Sequence, residues 1–208
     1  MLRSATEHGR GVAAAAAGAS FSSKPIGDWF AAFALSIAWG LGLALPALWQ
    51  GHLIGQPYTD LYPAVWGLWA FGHIDDGGLT QTLLLGFPDG MPHYYASPIK
   101  GLLARPLIPI LGVESVWNLL TIGARIATPL CAFGAARAWG LGKWGALTAA
   151  TIWGCSPTFQ GYAVEGIVEG TDGWTLALWA WAIGRRRHVW ASIAMALTIV
   201  SSLSLIHI

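Results

Sequence analysis

The sequence predicts an all-α integral membrane protein, with about five transmembrane helices and a large outer loop that carries interfacial helices after the first span. Three observations predict it. Only 10% of the 208 residues are charged while 55% are hydrophobic. A soluble domain carries about 25% charged residues, so too few charges remain to cover a water-facing surface. Apolar stretches poor in charge recur along the chain, several approaching the roughly 20 residues that cross about 30 Å of hydrocarbon. The third observation is tryptophan: there are thirteen, many at the ends of those stretches, where an apolar ring meets a polar N–H partner at the membrane–water boundary.

Residues 1–27 are a polar lead with an alanine run from Ala13 to Ala17. Alanine is barely apolar enough for a signal core, and a much better span follows, so this segment is expected to be a disordered cytoplasmic tail. The 28–202 region is then the N-terminal part of a transmembrane domain. Its first span runs from about Trp29 to Trp49, free of charge between Asp28 and Asp60, with Pro46 a tolerable terminal kink.

Residues 50–114 differ in character. They hold Asp60, Asp75, Asp76, Asp89, Glu114 and three histidines among many glycines and prolines. Two apolar pieces, 61–71 and 102–111, are each too short to span, and Pro106 and Pro109 break the second. They are expected to lie in the interface or to form a re-entrant piece.

A second span is expected at about 115–136, with Arg125 in its middle and Pro129 one turn later. The third, about 144–157, and the fourth, about 173–184, are short for a full crossing and call for tilt or thinning. A fifth starts at Val189. The terminal string Leu203, Ser204, Leu205, Ile206, His207, Ile208 resembles a translated sequencing adapter and is excluded from fold reasoning as an expected artefact.

Positive charge orients the spans. Arg3, Arg10, Lys24, Arg137, Lys143, Arg185, Arg186 and Arg187 all fall on one side if the spans alternate, which leaves Lys100 and Arg105 opposite and Arg125 within the membrane. The side rich in lysine and arginine is cytoplasmic. The expected location is therefore a bacterial inner membrane, multi-pass, with a cytoplasmic N-terminus and the 50–114 and 158–172 loops outside. Arg185, Arg186 and Arg187 set topology and meet lipid headgroups. The formal net charge of +1 gives no basic face for nucleic acid. Cys131 and Cys155 lie in apolar segments without metal-ligand company and read as small buried hydrophobes.

The outer loop opens with Tyr58-Thr59-Asp60-Leu61-Tyr62-Pro63-Ala64-Val65-Trp66-Gly67-Leu68-Trp69. It continues through Phe87-Pro88-Asp89-Gly90. The entry to the second span reads Leu111-Gly112-Val113-Glu114-Ser115-Val116-Trp117-Asn118-Leu119-Leu120. Ser156-Pro157, Gly166 and Glu169 follow in the next outer loop. In this order and spacing, over roughly residues 28–200, the chain resembles bacterial polytopic membrane proteins of the GT-C glycosyltransferase superfamily.

That resemblance implies a transferase that moves a sugar from a polyprenyl-phosphate donor, held among membrane lipids, onto an envelope or extracellular acceptor. It implies a catalytic acid in the first outer loop, and Asp60 corresponds to it by position. Such a carboxylate takes the acceptor hydroxyl proton as attack proceeds. Gln56 stands four residues before Asp60, where many members show a second acid close by.

The residues themselves leave alternatives open. Asp60 is also a fitting N-cap for a helix over 61–71, with Pro63 in its first turn. Asp75 and Asp76, beside His73, are alternative acids or oxygen ligands for a divalent cation, and equally an ordinary turn before Gly77 and Gly78; no other metal ligand is readable. Asp89-Gly90 reads as a turn. Arg125 is costly in lipid and is therefore a functional candidate: it meets the donor phosphate, pairs with Glu165 or Glu169, or snorkels. Glu165 and Glu169 are candidate outer-loop substrate contacts. A non-enzymatic transporter or flippase-like component is the competing class, since broken spans and a buried arginine suit it too. The acids cluster in outer loops rather than at a midplane repeat interface, which favours the enzyme.

Overall fold

The computed structural model describes residues 25–42, 44–73, 81–82, 89–92, 97–167 and 171–202. The chain divides into two units, 1–30 and 31–208. Of the first, residues 25–30 are described and form the opening turns of a helix; the packing described below belongs to the second. The expected disorder of the N-terminal tail and the terminal string 203–208 lie outside the described residues.

Proline decides where the first helix stops. Helix α1 spans Pro25–Gly42, and a separate five-residue helix α2 follows at Leu45–Trp49. The single span expected from Trp29 to Trp49 is thus two helices. Pro46 has no N–H to offer the Gly42 carbonyl, and its ring would collide with that carbonyl if the helix continued.

The 50–114 segment contains the helix expected at 61–71. Helix α3, Leu61–Gly72, is 12 residues long, about 18 Å at 1.5 Å per residue, and too short to cross the bilayer. Its inward face, Leu61, Ala64 and Leu68, packs with Ala104, Ile108, Val116 and Trp117 in one buried cluster. The 102–111 piece is broken as its prolines require: helix α4 covers Pro98–Ala104 and helix α5 covers Ile108–Leu111. Gly101 lets α4 sit on the Phe71 ring, since a Cβ there would lie 2.5 Å from Phe71 Cγ. Between α3 and α4, Gln81–Thr82 (β1) pairs antiparallel with Met91–Pro92 (β2), with Gln81 opposite Pro92. Asp89 is in a turn and Gly90 takes φ +76°, in line with the turn read there.

Helix α6, Val113–Ala138, is 26 residues, about 39 Å long. Among the described residues it is the one helix long and apolar enough to cross a membrane; Ile26–Gly42 and His188–Ser201 are apolar but shorter. Helix α7, Lys143–Gly154, and helix α9, Gly173–Gly184, have 12 residues each. Helix α10 spans His188–Ser202. The expectation of about five crossings is therefore not met by helix length among the described residues; Pro157, with no N–H for the Trp153 carbonyl, closes off α7 early.

Small residues set the packing of α6, α7 and α9. Gly154 abuts Pro129, Gly134 abuts the Trp181 ring, and Gly184 abuts Ala138 and Trp139. Helix α7 returns antiparallel along α6, and α9 runs parallel to it. Trp139 Nε1 donates to the Ala180 carbonyl at 3.0 Å, and Arg137 Nη1 donates to the Leu141 carbonyl at 3.1 Å. The turns carrying Arg137, Lys143, Arg185, Arg186 and Arg187 thus lie at one end of this group. A short helix that sequence reading leaves as loop, α8 at Pro157–Glu165, lies at the other.

Candidate functional site

The acid singled out by sequence, Asp60, occupies the N-cap position of α3 but makes no side-chain capping bond. Its carboxylate is exposed. The local polar bond belongs instead to Thr59, whose Oγ1 donates to the Gln56 carbonyl at 2.8 Å. Two residues upstream, Tyr58 is held at φ +78° and is 97% exposed. A non-glycine residue in that region carries strain that persists only where its surroundings hold it.

Those surroundings come from two other parts of the chain. The first turns of α6 hold the approach to Asp60: Asn118 Oδ1 accepts from the Ile54 N–H at 2.8 Å, Asn118 Nδ2 donates to the His52 carbonyl at 3.1 Å, and Trp117 Nε1 donates to the Ile54 carbonyl at 2.9 Å. The Trp117-Asn118 pair of the sequence motif therefore fastens the segment between α2 and Asp60. From the opposite direction, the end of α8 closes on the same loop. The Gln56 N–H donates to the Val164 carbonyl at 2.6 Å. Gly166, at φ +75°, lies so close to Leu61 that a Cβ on it would be 2.5 Å from Leu61 Cα. Sequence signals explain why α8 stops there. Pro157 sits in its first turn, and Gly166 caps it left-handed, with the Ile167 N–H donating to the Tyr162 carbonyl at 2.9 Å in a Schellman pattern.

Arg125 is buried in α6 at 8% exposure. Its Nη2 donates to Gln160 Oε1 of α8, and its Nε has no partner among the described residues. Among the described residues its partner is Gln160 and not Glu165, which is exposed at the end of α8. Gln160 Nε2 donates onward to the Gly154 carbonyl at 3.0 Å, which also accepts from Trp39 Nε1 at 3.1 Å. One helix thus carries the Arg125 partner near its start and the contact to the Asp60 loop at its end. Six residues separate Gln160 from Gly166, roughly 9 Å of helix.

Asp75, Asp76 and Glu169 lie outside the described residues. His73 ends α3 with Nδ1 2.8 Å from the Trp69 carbonyl and its ring stacked on Trp69 at 4.5 Å. Among the described residues no three His, Cys, Asp or Glu come together as a metal site. Cys131 and Cys155 are free thiols.

The pair that sequence reasoning missed is Lys100 with Asp172. Lys100 Nζ lies 3.1 Å from Asp172 Oδ1, with side chains 8% and 4% exposed. Lys100 Nζ also donates to Thr171 Oγ1, and Trp174 Nε1 donates to Asp172 Oδ1 at 3.2 Å. Asp172 Oδ2 is buried without a hydrogen-bond partner among the described residues. In sequence these are one basic residue of the 50–114 segment and one acid of the 158–172 segment, with no spacing that relates them. No family model, curated protein or solved structure matches this chain.

Proposed function

We propose that the chain is part of a multi-pass membrane glycosyltransferase of the GT-C type, acting at the outer face of a bacterial inner membrane with its N-terminus in the cytoplasm. It moves a sugar from a polyprenyl-phosphate donor to an envelope or extracellular acceptor. The observation that carries the reading is Asp60: an exposed carboxylate not spent on capping its helix, on a loop fastened from both α6 and α8. A base must be free to accept a proton and rigidly placed to accept it from the acceptor hydroxyl. Asp60 takes that proton as the hydroxyl oxygen attacks the donor's anomeric carbon and the polyprenyl phosphate leaves. Arg125 is the cation for that phosphate, and Glu165 and Glu169 are contacts for substrate in the second outer loop.

The exterior supports a lipid setting. Trp49, Ile110, Trp144, Ile152 and Val189 are each at least 70% exposed, an apolar surface that water alone does not favour. The five-span topology uses α1 with α2, then α6, α7, α9 and α10, with the shorter helices tilted or crossing a thinned bilayer. The buried, incompletely paired Arg125 also suits a transporter, which would move its substrate without making a glycosidic bond.

The test is Asp60→Asn in the full-length protein, assayed with a panel of undecaprenyl-phosphate-linked sugars. Asp60 makes no side-chain capping bond, so asparagine, of the same size, removes the base without removing a helix cap. Transfer should fall on the order of 10²–10⁴-fold with thermal stability unchanged. Full transfer by the asparagine variant moves the base to Asp75 or Asp76. Substrate movement across vesicles without any glycosidic product favours the transporter.

A further inference from the structure

The end of α8 and the segment that follows it touch the first outer loop twice. Near Asp60 they do so through Val164 and Gly166. At α4 they do so through Thr171 and Asp172, which hold Lys100. Helix α4 in turn carries α3, because Gly101 bears on the Phe71 ring and Ala104 joins the cluster around Leu61, Ala64 and Leu68. Asp60 immediately precedes that helix.

We propose that Lys100 and Asp172 are positioning residues: their buried ion pair clamps α4 onto the second outer loop, and through α3 sets where Asp60 stands. A hydrogen bond near Asp60 fixes one end of α3, and the ion pair fixes the other through the Phe71–Gly101 contact. The pair suits this task because it is buried on both sides. Breaking such a pair by removing one partner leaves a buried charge and is far more costly than replacing both partners by apolar residues. Asp172 already has one oxygen without a partner among the described residues, so loss of the lysine would leave the whole carboxylate held by Trp174 Nε1 alone among the bonds described for it. The two outer loops therefore move as one body or not at all.

The inference about Asp60 rests on the proposed function, while the clamp itself does not, and the experiment separates them. Ala64, 3% exposed in α3, is replaced by cysteine in the full-length protein with Cys131 and Cys155 changed to serine. Its rate of reaction with a maleimide is then measured with Lys100→Met, with Asp172→Leu and with both together. Each single variant should react about tenfold faster or more, while the double variant should return to within about threefold of the parent, as expected for a coupled buried pair. Single variants indistinguishable from the parent, or a double variant that loosens by the product of the two, would overturn the clamp. In parallel, each single variant should lower kcat for sugar transfer with little change in KM, and the double should restore it. If labelling responds as expected but Asp60→Asn leaves transfer intact, the clamp stands and the transferase reading falls. If Asp60→Asn abolishes transfer while kcat does not follow labelling, the pair positions the loops but not the base. A variant that fails to insert is replaced by Lys100→Gln, which removes the charge but keeps a polar end, or by Asp172→Asn, which keeps the side-chain shape; these should loosen α3 in the same direction, and their failure to do so overturns the clamp.

Discussion

At the scale of single residues, the loop before α3 is shaped by positions whose backbone leaves little choice. Gly166 combines φ +75° with a Leu61 Cα that would sit 2.5 Å from its Cβ and a Leu61 N at 2.6 Å. Both atoms are backbone and cannot rotate away. Gly166→Ala should therefore cost roughly 2–4 kcal/mol, the sum of left-handed strain and overpacking. Gly123, in α6 with nothing within 4 Å of its would-be Cβ, is the control: alanine there should be neutral or stabilising by about 1 kcal/mol or less. Thermal unfolding of both variants in detergent checks this, and equal melting temperatures would mean that the end of α8 is not seated on α3. Gly166 and Asp60 are singled out separately in sequence, and nothing in the sequence joins them. What joins them is a contact between backbones, and no side-chain chemistry announces it.

At the scale of elements, legibility followed the punctuation of the chain. Helix α3 and helix α9 begin and end within a residue or so of where the apolar runs do. The prolines at 106 and 109 correctly broke the following piece. Pro46 looks in sequence like a terminal kink, yet it ends α1 four residues earlier by removing the Gly42 partner. Helix α8 went unread despite Ser156-Pro157 at its start and Gly166 at its end, because nine residues of mixed polarity show no apolar period. That omission hid Gln160, and with it the partner of Arg125. The motif entering α6 has a mechanical meaning that its sequence does not disclose. Ile54, 5% exposed, places both its N–H and its carbonyl against Asn118 and Trp117. Asn118→Leu keeps the branched outline of the side chain but leaves the buried Ile54 N–H unpaired, at a cost of about 1–3 kcal/mol. The Ile54 amide should then exchange its hydrogen about tenfold faster or more, while amides in the middle of α6 stay protected. Uniform acceleration along α6 would show that Asn118 supports the helix rather than the loop.

At the scale of the whole molecule, the distribution of charge and the packing agree on two ends. The group formed by α6, α7 and α9 carries Arg137, Lys143, Arg185, Arg186 and Arg187 in the turns where Gly184 meets Ala138 and Trp139. At this end Lys143 Nζ lies 5.6 Å from the centroid of the exposed Trp144 ring. The far end gathers α8, the Thr171 and Asp172 turn and the loop of Asp60. If the basic end faces the cytoplasm, Asp60 faces outward. Cysteines placed at Tyr58 and at Gly142 test this directly, since both positions are exposed and burial cannot account for a difference between them. With the native cysteines replaced by serine, a membrane-impermeant maleimide added to intact cells should label the Tyr58→Cys variant and spare the Gly142→Cys variant, and permeabilised cells should label both. Labelling of Gly142→Cys alone in intact cells would invert the molecule and place Asp60 on the cytoplasmic side, where an acceptor outside the cell is beyond its reach. Labelling of both in intact cells would mean that the helices between them do not carry the chain across the bilayer. Helix α6, among the described residues the helix between them long and apolar enough to cross, would then not cross, and the five-span topology would fail with it.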